Sequence, residues 1–269
     1  MKILFLGDVV GRPGRAVVAR RVPMLRQELK LDFVIANGEN LASGVGITME
    51  KAEEMFRAGV DALTSGNHVW KKKEFVDYLA RTDEPRILRP ANYPDAAPGC
   101  GYRVYQVGAV KLGVVNLQGR IFMDPIDCPF QAGRRAVHEL KSKGATVIFV
   151  DMHAEATSEK RAMGHFLDGH VSVVVGTHTH IQTADEEILP GGTAYLTDAG
   201  MVGVAQSVIG VEIAPILERF LTQVPVKFEV PKSGEVILCG AVIEVDPAGR
   251  ATSIRRIQER HPYGGDVRS

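Results

Sequence analysis

The chain has 269 residues, which suits one large domain or two small ones and allows a sizeable buried core. Lysine plus arginine equals aspartate plus glutamate at 32 each, so no long-range field gathers polyanions. This argues against a nucleic-acid coat protein, an extended nucleic-acid surface or a polybasic membrane binder. Hydrophobic residues at 45% and charged residues at 24% are ordinary globular values. Cys100, Cys128 and Cys239 are odd in number, widely spaced and without a C-x-x-C pattern. That favours reduced thiols in a cytosol over a disulfide framework. The apolar run after Met1 stops too early for a signal-peptide core, and no stretch reaches the ~20 apolar residues of a bilayer span. The expectation is a soluble, cytoplasmic protein.

Ile3–Leu6 reads as a short buried strand. Gly11-Arg12-Pro13-Gly14 turns into a helix to about Lys30, with Pro23 expected to kink or divide it. Phe33–Ala36 is the second strand. Thr48 is the expected N-cap of a helix with Glu50 in its first turn and Gly59 at its close. Lys71-Lys72-Lys73 reads as a solvated helix start, and Val60–Thr64 as a third strand. Such strand–helix–strand alternation predicts parallel pairing with right-handed crossovers. Further along, Tyr102–Val107 and Val110–Leu117 flank Gly108-Ala109 as an antiparallel hairpin. Helix is expected over Gln131–Lys143 and Glu159–Leu167. Strands are expected over Thr146–Val150, Val171–Val175, Gly192–Leu196, Lys227–Val230 and Val236–Val245. The tail from Tyr263-Gly264-Gly265 onward is expected to fray. Parallel and antiparallel strands with outer helices predict a four-layer α/β/β/α sandwich with two mixed sheets, formed by one domain over 1–269.

Five apolar runs end in metal-binding side chains: at Asp8, at Asn37-Gly38-Glu39-Asn40, at Asn67-His68, at Asp151-Met152-His153 and at His178-Thr179-His180. Ligands gather at the carboxyl ends of strands in open α/β sheets. Five ends offering only Asp, Glu, Asn and His point to one nitrogen/oxygen site with more donors than a single ion needs. Each residue has a plainer reading. Asp8 suits a helix cap, Glu39-Asn40 a polar turn, and Asn67-His68 a capping Asn followed by a surface His. The spacing of Gly7, Gly11 and Gly14 is wrong for a dinucleotide loop. His178 and His180, one residue apart, would share a side in extended backbone. Gly44 and Gly46 would keep the next loop slim beside a ligand. Arg12, Arg89 and Arg120 are candidates to clamp phosphate, and the sequence does not choose among them.

Gly-Asn-His followed by Gly-x-His-x-His resembles the calcineurin-like metallophosphoesterase superfamily. Gly7-Asp8-Val9-Val10-Gly11, Asn37–Asn40, His153-Ala154-Glu155-Ala156-Thr157 and Gly176–His180 with Gln182-Thr183-Ala184-Asp185 resemble its YmdB-like branch, over residues 1 to about 257. The resemblance implies a di-iron or di-manganese type site. Asp8, Glu39 and His180 would hold one metal. Glu39 as bridge, with Asn40, Asn67, His153 and His178, would hold the other, and His68 would be the proton donor. It also implies action on 2′,3′-cyclic nucleotides, opened at the 2′ side. The chain departs from the wider superfamily in carrying Val10 for the first-motif His, Glu39 for the bridging Asp and Val69 for the acid after Gly-Asn-His. A donor set without thiolate suits Mn, Fe or Zn. The expected activity is metal-assisted phosphodiester hydrolysis of a small cyclic nucleotide. The alternatives are a phosphomonoesterase on the same metals and a slow-turnover regulator binding a nucleotide or RNA end. A homo-oligomer stays open.

Overall fold

The computed structural model describes residues 1–81 and 86–264. In chain order its first strands are β1 (Lys2–Leu6), β2 (Asp8–Val9), β3 (Phe33–Asn37), β4 (Ala62–Thr64), β5 (Tyr102–Val107) and β6 (Val110–Gln118). The later ones are β7 (Val147–His153), β8 (Val173–Thr177), β9 (Glu187–Ile188), β10 (Ala194–Leu196), β11 (Met201–Val204), β12 (Gly234–Val245) and β13 (Ala251–Tyr263). The helices are α1 (Gly11–Leu29), α2 (Met49–Arg57), α3 (Lys73–Leu79), α4 (Pro129–Ser142), α5 (Thr157–Leu167) and α6 (Ile213–Thr222).

Alternation along β1 explains the layering. Ile3 and Phe5 point to a core shared with Val114, Phe149 and Val175 of the other sheet, whereas Leu4 and Leu6 point to a core shared with α1, α2 and α3. A third core, with Leu117, Ile148 and Val174, packs the second sheet on α4 and α5. Phe5 and Phe149 meet between the sheets with ring centroids 4.9 Å apart. The result is the four-layer α/β/β/α sandwich.

One sheet runs β2-β11-β12-β1-β3-β4, with β13 pairing β12; the other runs β5-β6-β7-β8-β10-β9. β1, β3 and β4 are parallel, as are β6, β7 and β8, so their carboxyl ends form two facing rows. Thr48 caps α2 through the Lys51 N–H, as its sequence position predicts.

Several expectations change. Helix α1 is continuous through Pro23 and is not divided. β7 runs past Val150 to His153 because its Asp151 is hydrogen-bonded by Asn37 of the facing sheet and by Thr177 of neighbouring β8. Lys227–Val230 is not a strand; it is extended chain outside any ladder. Helix α6 and the 13-residue strand β13 occupy stretches for which no element is expected. Tyr263 belongs to β13 and pairs with Gly234, so fraying does not begin there. The expectation for Gly265 onward lies outside the described residues. Among the described residues all three cysteines are free thiols, and no helix is long and apolar enough to cross a membrane.

Candidate metal centre

The two rows of strand ends bring Asp8, Glu39, Asn40, Asn67, His68, His153, His178 and His180 into one cluster. Its centre is His153 Nε2, which lies 3.1 Å from Glu39 Oε2, 3.0 Å from Asn67 Oδ1 and 3.1 Å from His178 Nδ1. Glu39, His153 and His178 are spaced closely enough to share one cation. A second group adjoins the first. His180 Nε2 is 3.7 Å from Asp8 Oδ1 and 3.1 Å from Asn40 Nδ2. Asp8 Oδ1 is buried with no hydrogen-bond donor among the described residues. An unpaired buried carboxylate oxygen is costly unless a cation meets it. The glycine before Asn67 makes the room: a Cβ on Gly66 would stand 2.2 Å from His153 Nε2 and 2.3 Å from Glu39 Oε2. The residues present fit a metal centre.

The imidazoles are turned by their second nitrogens, the usual arrangement around a metal ligand. His153 Nδ1 faces Thr177 Oγ1 at 2.9 Å, and Thr177 donates to Asp151 Oδ1 at 2.7 Å. His178 Nε2 sits 3.1 Å from Glu155, and His180 Nδ1 sits 2.8 Å from the Ile209 carbonyl oxygen. His178 and His180 do not share a side through strand alternation, because β8 stops at Thr177. Both are left-handed, with φ of 95° and 65°, and they reach opposite ends of the cluster. A side chain held at positive φ stores strain that surrounding structure must offset.

The protonation pattern follows from packing. Burial opposes a charge on Glu39, but His153 and His68 outweigh it and hold its carboxyl well below the usual range. Burial likewise opposes a charge on His153, yet Glu39 drives that imidazole up to about 9. His178 is pushed down to about 3 by burial and by the charge of His153. Burial raises Asp8 against the attraction of His180 and His153. Burial and neighbouring charge therefore push His153 up and His178 down within one cluster, and the buried negative charge that raises His153 is charge that a metal cation would balance.

His68 stands at the mouth, 27% exposed at its side chain, with Nδ1 3.2 Å from Glu39 Oε1 and 3.0 Å from Asn40 Oδ1. The carboxylate missing at Val69 is replaced in space by Glu39. Asp8 is not a helix cap, since Val10 occupies that position of α1. Gly44 lines the cleft beside His68, and the absent side chains of Gly44 and Gly46 also leave space for Val230 and for Lys71 and Lys72. Arg89 is buried, with three carbonyl partners in Pro90, Ala97 and Pro98, and is a structural residue. Arg12 lines a different cleft, beside Arg15 and Glu54, and exposed Arg120 packs its backbone N–H on Glu159.

Sequence reasoning missed Asp151 as a support. It accepts hydrogen bonds from Asn37 and Thr64 of one sheet and Thr177 of the other, tying the rows together below the cluster. Burial pushes it up to about 6, against the pull of His153. The signal was present, since Asp151 and His153 fall on the same strand face as Phe149.

The chain matches the model of the family described as YmdB-like protein over residues 4–257. It is 47% identical over 258 residues to the Bacillus subtilis (strain 168) 2′,3′-cyclic-nucleotide 2′-phosphodiesterase, covering 96% of each chain. Among solved structures it superposes on a hypothetical protein from Thermus thermophilus with a TM-score of 0.91 at 42% identity, covering 97% of this chain and 100% of that one. A novel phosphatase from Mycoplasma pneumoniae gives 0.90 at 32% identity, covering 98% of this chain and 94% of the other. With the cluster built from the motifs that carry the likeness, the chain belongs to the YmdB-like family of metallophosphoesterases.

Proposed function

We infer that this chain is a metal-dependent phosphodiesterase that hydrolyses 2′,3′-cyclic nucleoside monophosphates at the 2′ bond. The carrying observation is the convergence of His153 Nε2, His178 Nδ1, Asn67 Oδ1 and Glu39 Oε2 beside the Gly66 backbone. Residues 1–269 act in this reading as one cytoplasmic metallophosphoesterase domain. Glu39, Asn67, His153 and His178 would hold one ion. Asp8 and His180 would hold a second, with Glu39 shared and Asn40 beside His180. Iron or manganese suits these donors, and zinc is compatible with them. When bound, the ions supply positive charge for the phosphoryl oxygens and acidity for a water.

The chain's own residues do the rest. Asn40 and Glu39 engage His68 at Nδ1, which leaves Nε2 as the nitrogen for the cleft that the ring lines. From there it gives a proton to the departing ribose O2′. Water adds to phosphorus, the P–O2′ bond breaks, and a nucleoside 3′-phosphate results. A cyclic diester carries one negative charge and ring strain. It asks less positive charge of the site than a monoester dianion would, and Arg89 is already committed to carbonyls.

The test is chelation followed by metal add-back on cyclic nucleotides and phosphomonoesters. Activity on the cyclic diester should vanish and return best with manganese or ferrous iron. Full activity in metal-free protein, or a preference for monoesters, would overturn the reading.

A further inference from the structure

Between antiparallel β11 and β12 the chain leaves the sheet on an excursion over residues 205–233 that includes α6. Its two legs are joined by the Glu212 N–H donating to the Glu229 carbonyl at 2.8 Å. They return to the metal cluster at two points. The Ile209 carbonyl meets His180, and Val230 packs into space left by Gly11 and Gly44. This fixes a cleft of about 280 Å³ with two unlike walls. One wall carries Glu39, Asn40, His68, His178 and His180. The other carries Val45, Ile209, Val211, Phe228 and Val230.

The second wall keeps apolar surface open to solvent. Val45 is 40% exposed, Ile209 44% and Phe228 39%, yet all three line the same cleft as Glu39, His68, His178 and His180. The Arg219 guanidinium lies 5.1 Å from the centre of the Phe228 ring and steadies it. A ligand that fills this cleft has an anionic end and a flat, weakly polar end. Resting on the cyclic-nucleotide reading above, we propose that Phe228, with Val45 and Ile209, is the nucleobase subsite, the base stacking on the Phe228 ring. Stacking uses the face that every base has. The wall therefore separates base-bearing from baseless phosphates and discriminates weakly among bases.

The test is titration calorimetry of the metal-loaded protein with adenosine 3′-phosphate and with the methyl riboside 3-phosphate that lacks the base. Wild type should prefer the nucleotide. Phe228→Ala should cut that preference about tenfold, and Phe228→Trp should keep it. Val45→Lys, on the loop between β3 and α2, should also lower the preference and serves if Phe228→Ala misfolds. No preference in wild type, or an unchanged preference in folded Phe228→Ala, overturns the subsite. Turnover of 2′,3′-cyclic AMP by the same preparation separates the two ideas. Base-dependent binding without turnover refutes the activity and leaves the subsite. Turnover with equal affinity for both ligands refutes the subsite and leaves the activity.

Discussion

Lys160 Nζ lies 2.7 Å from Asp198 Oδ2, and both side chains are completely buried. The same carboxylate oxygen accepts from the Thr179 N–H at 3.2 Å and the Thr179 hydroxyl at 2.6 Å, while Oδ1 accepts from the Gly200 N–H at 2.8 Å. Lys160 also reaches Thr179 Oγ1 at 3.3 Å. Thr179 is the residue between His178 and His180. The ion pair thus clamps the turn whose left-handed backbone aims both histidines.

Breaking this pair should be costly because it strands a charge in the interior. Lys160→Met is expected to destabilise the protein by ~3–5 kcal/mol, lowering Tm by roughly 10 °C. It should also reduce metal content, since the turn that presents His178 and His180 loses its anchor. Thermal melts and elemental analysis check this. A Tm unchanged within a degree or so would mean that Asp198 is adequately held by Thr179 and Gly200 alone.

Gly66 tests the centre without replacing any of the donor residues. In Gly66→Ala the added methyl would fall 2.2 Å from His153 Nε2 and 2.3 Å from Glu39 Oε2, in the space assigned to an ion. The expected result is a folded protein with greatly reduced metal content and phosphodiesterase activity. Normal metal stoichiometry in this variant would show that the ions sit elsewhere.

Much of this was legible. Short apolar runs ending in Gly, Asp, Asn or His marked β1, β3, β4 and β8, because buried parallel strands need only a few β-branched or aliphatic residues. What escaped depends on partners distant in the chain. The end of β7 reads as loop because Asp151 and His153 are polar, yet both are fully buried, Asp151 satisfied by Asn37 of the opposite sheet and His153 by Thr177 of neighbouring β8. β13 carries Arg255, Arg256, Glu259 and Arg260, charges that suit an edge strand and hide it from an apolar search. Lys227–Val230 has the alternation of a strand, but Phe228 and Val230 spend it on the cleft. A buried lysine is rare enough that nothing in Lys160 announces its role. The value of Gly66 lies in the atoms it avoids, which sequence does not display.

β13 is joined to α1 by an ion pair that gives stability a measurable pH dependence. Arg21 bonds Glu259 Oε2 at 2.6 Å and Glu28 at 2.8 Å. The Arg21 hydrogen bond holds the Glu259 carboxyl below its ordinary value, with the charge of Arg21 adding to it. A carboxylate depressed in the folded state stabilises above its unfolded pKa and loses that contribution as pH falls through the folded value. Arg21→Met should therefore melt below wild type at about pH 7, and the gap should close as pH falls below about 4. A gap that persists at low pH would assign the loss to packing of the Arg21 stem instead.

His68 separates a hydrolase from a protein that merely binds nucleotides. Its ring is oriented by Asn40 and Glu39, yet it lies outside the group of atoms gathered around His153 Nε2. If it protonates O2′, His68→Ala should retain its metals and bind the nucleotide nearly as before, while turnover drops by ~10²–10⁴-fold. The loss should be much smaller on a nitrophenyl phosphodiester, because nitrophenolate departs without a proton. Equal losses on the two substrates with metals in place would make His68 a phosphate-positioning residue. Loss of metal from the variant would make it a ligand, and the proton would then have to come from water or from another residue of the cleft.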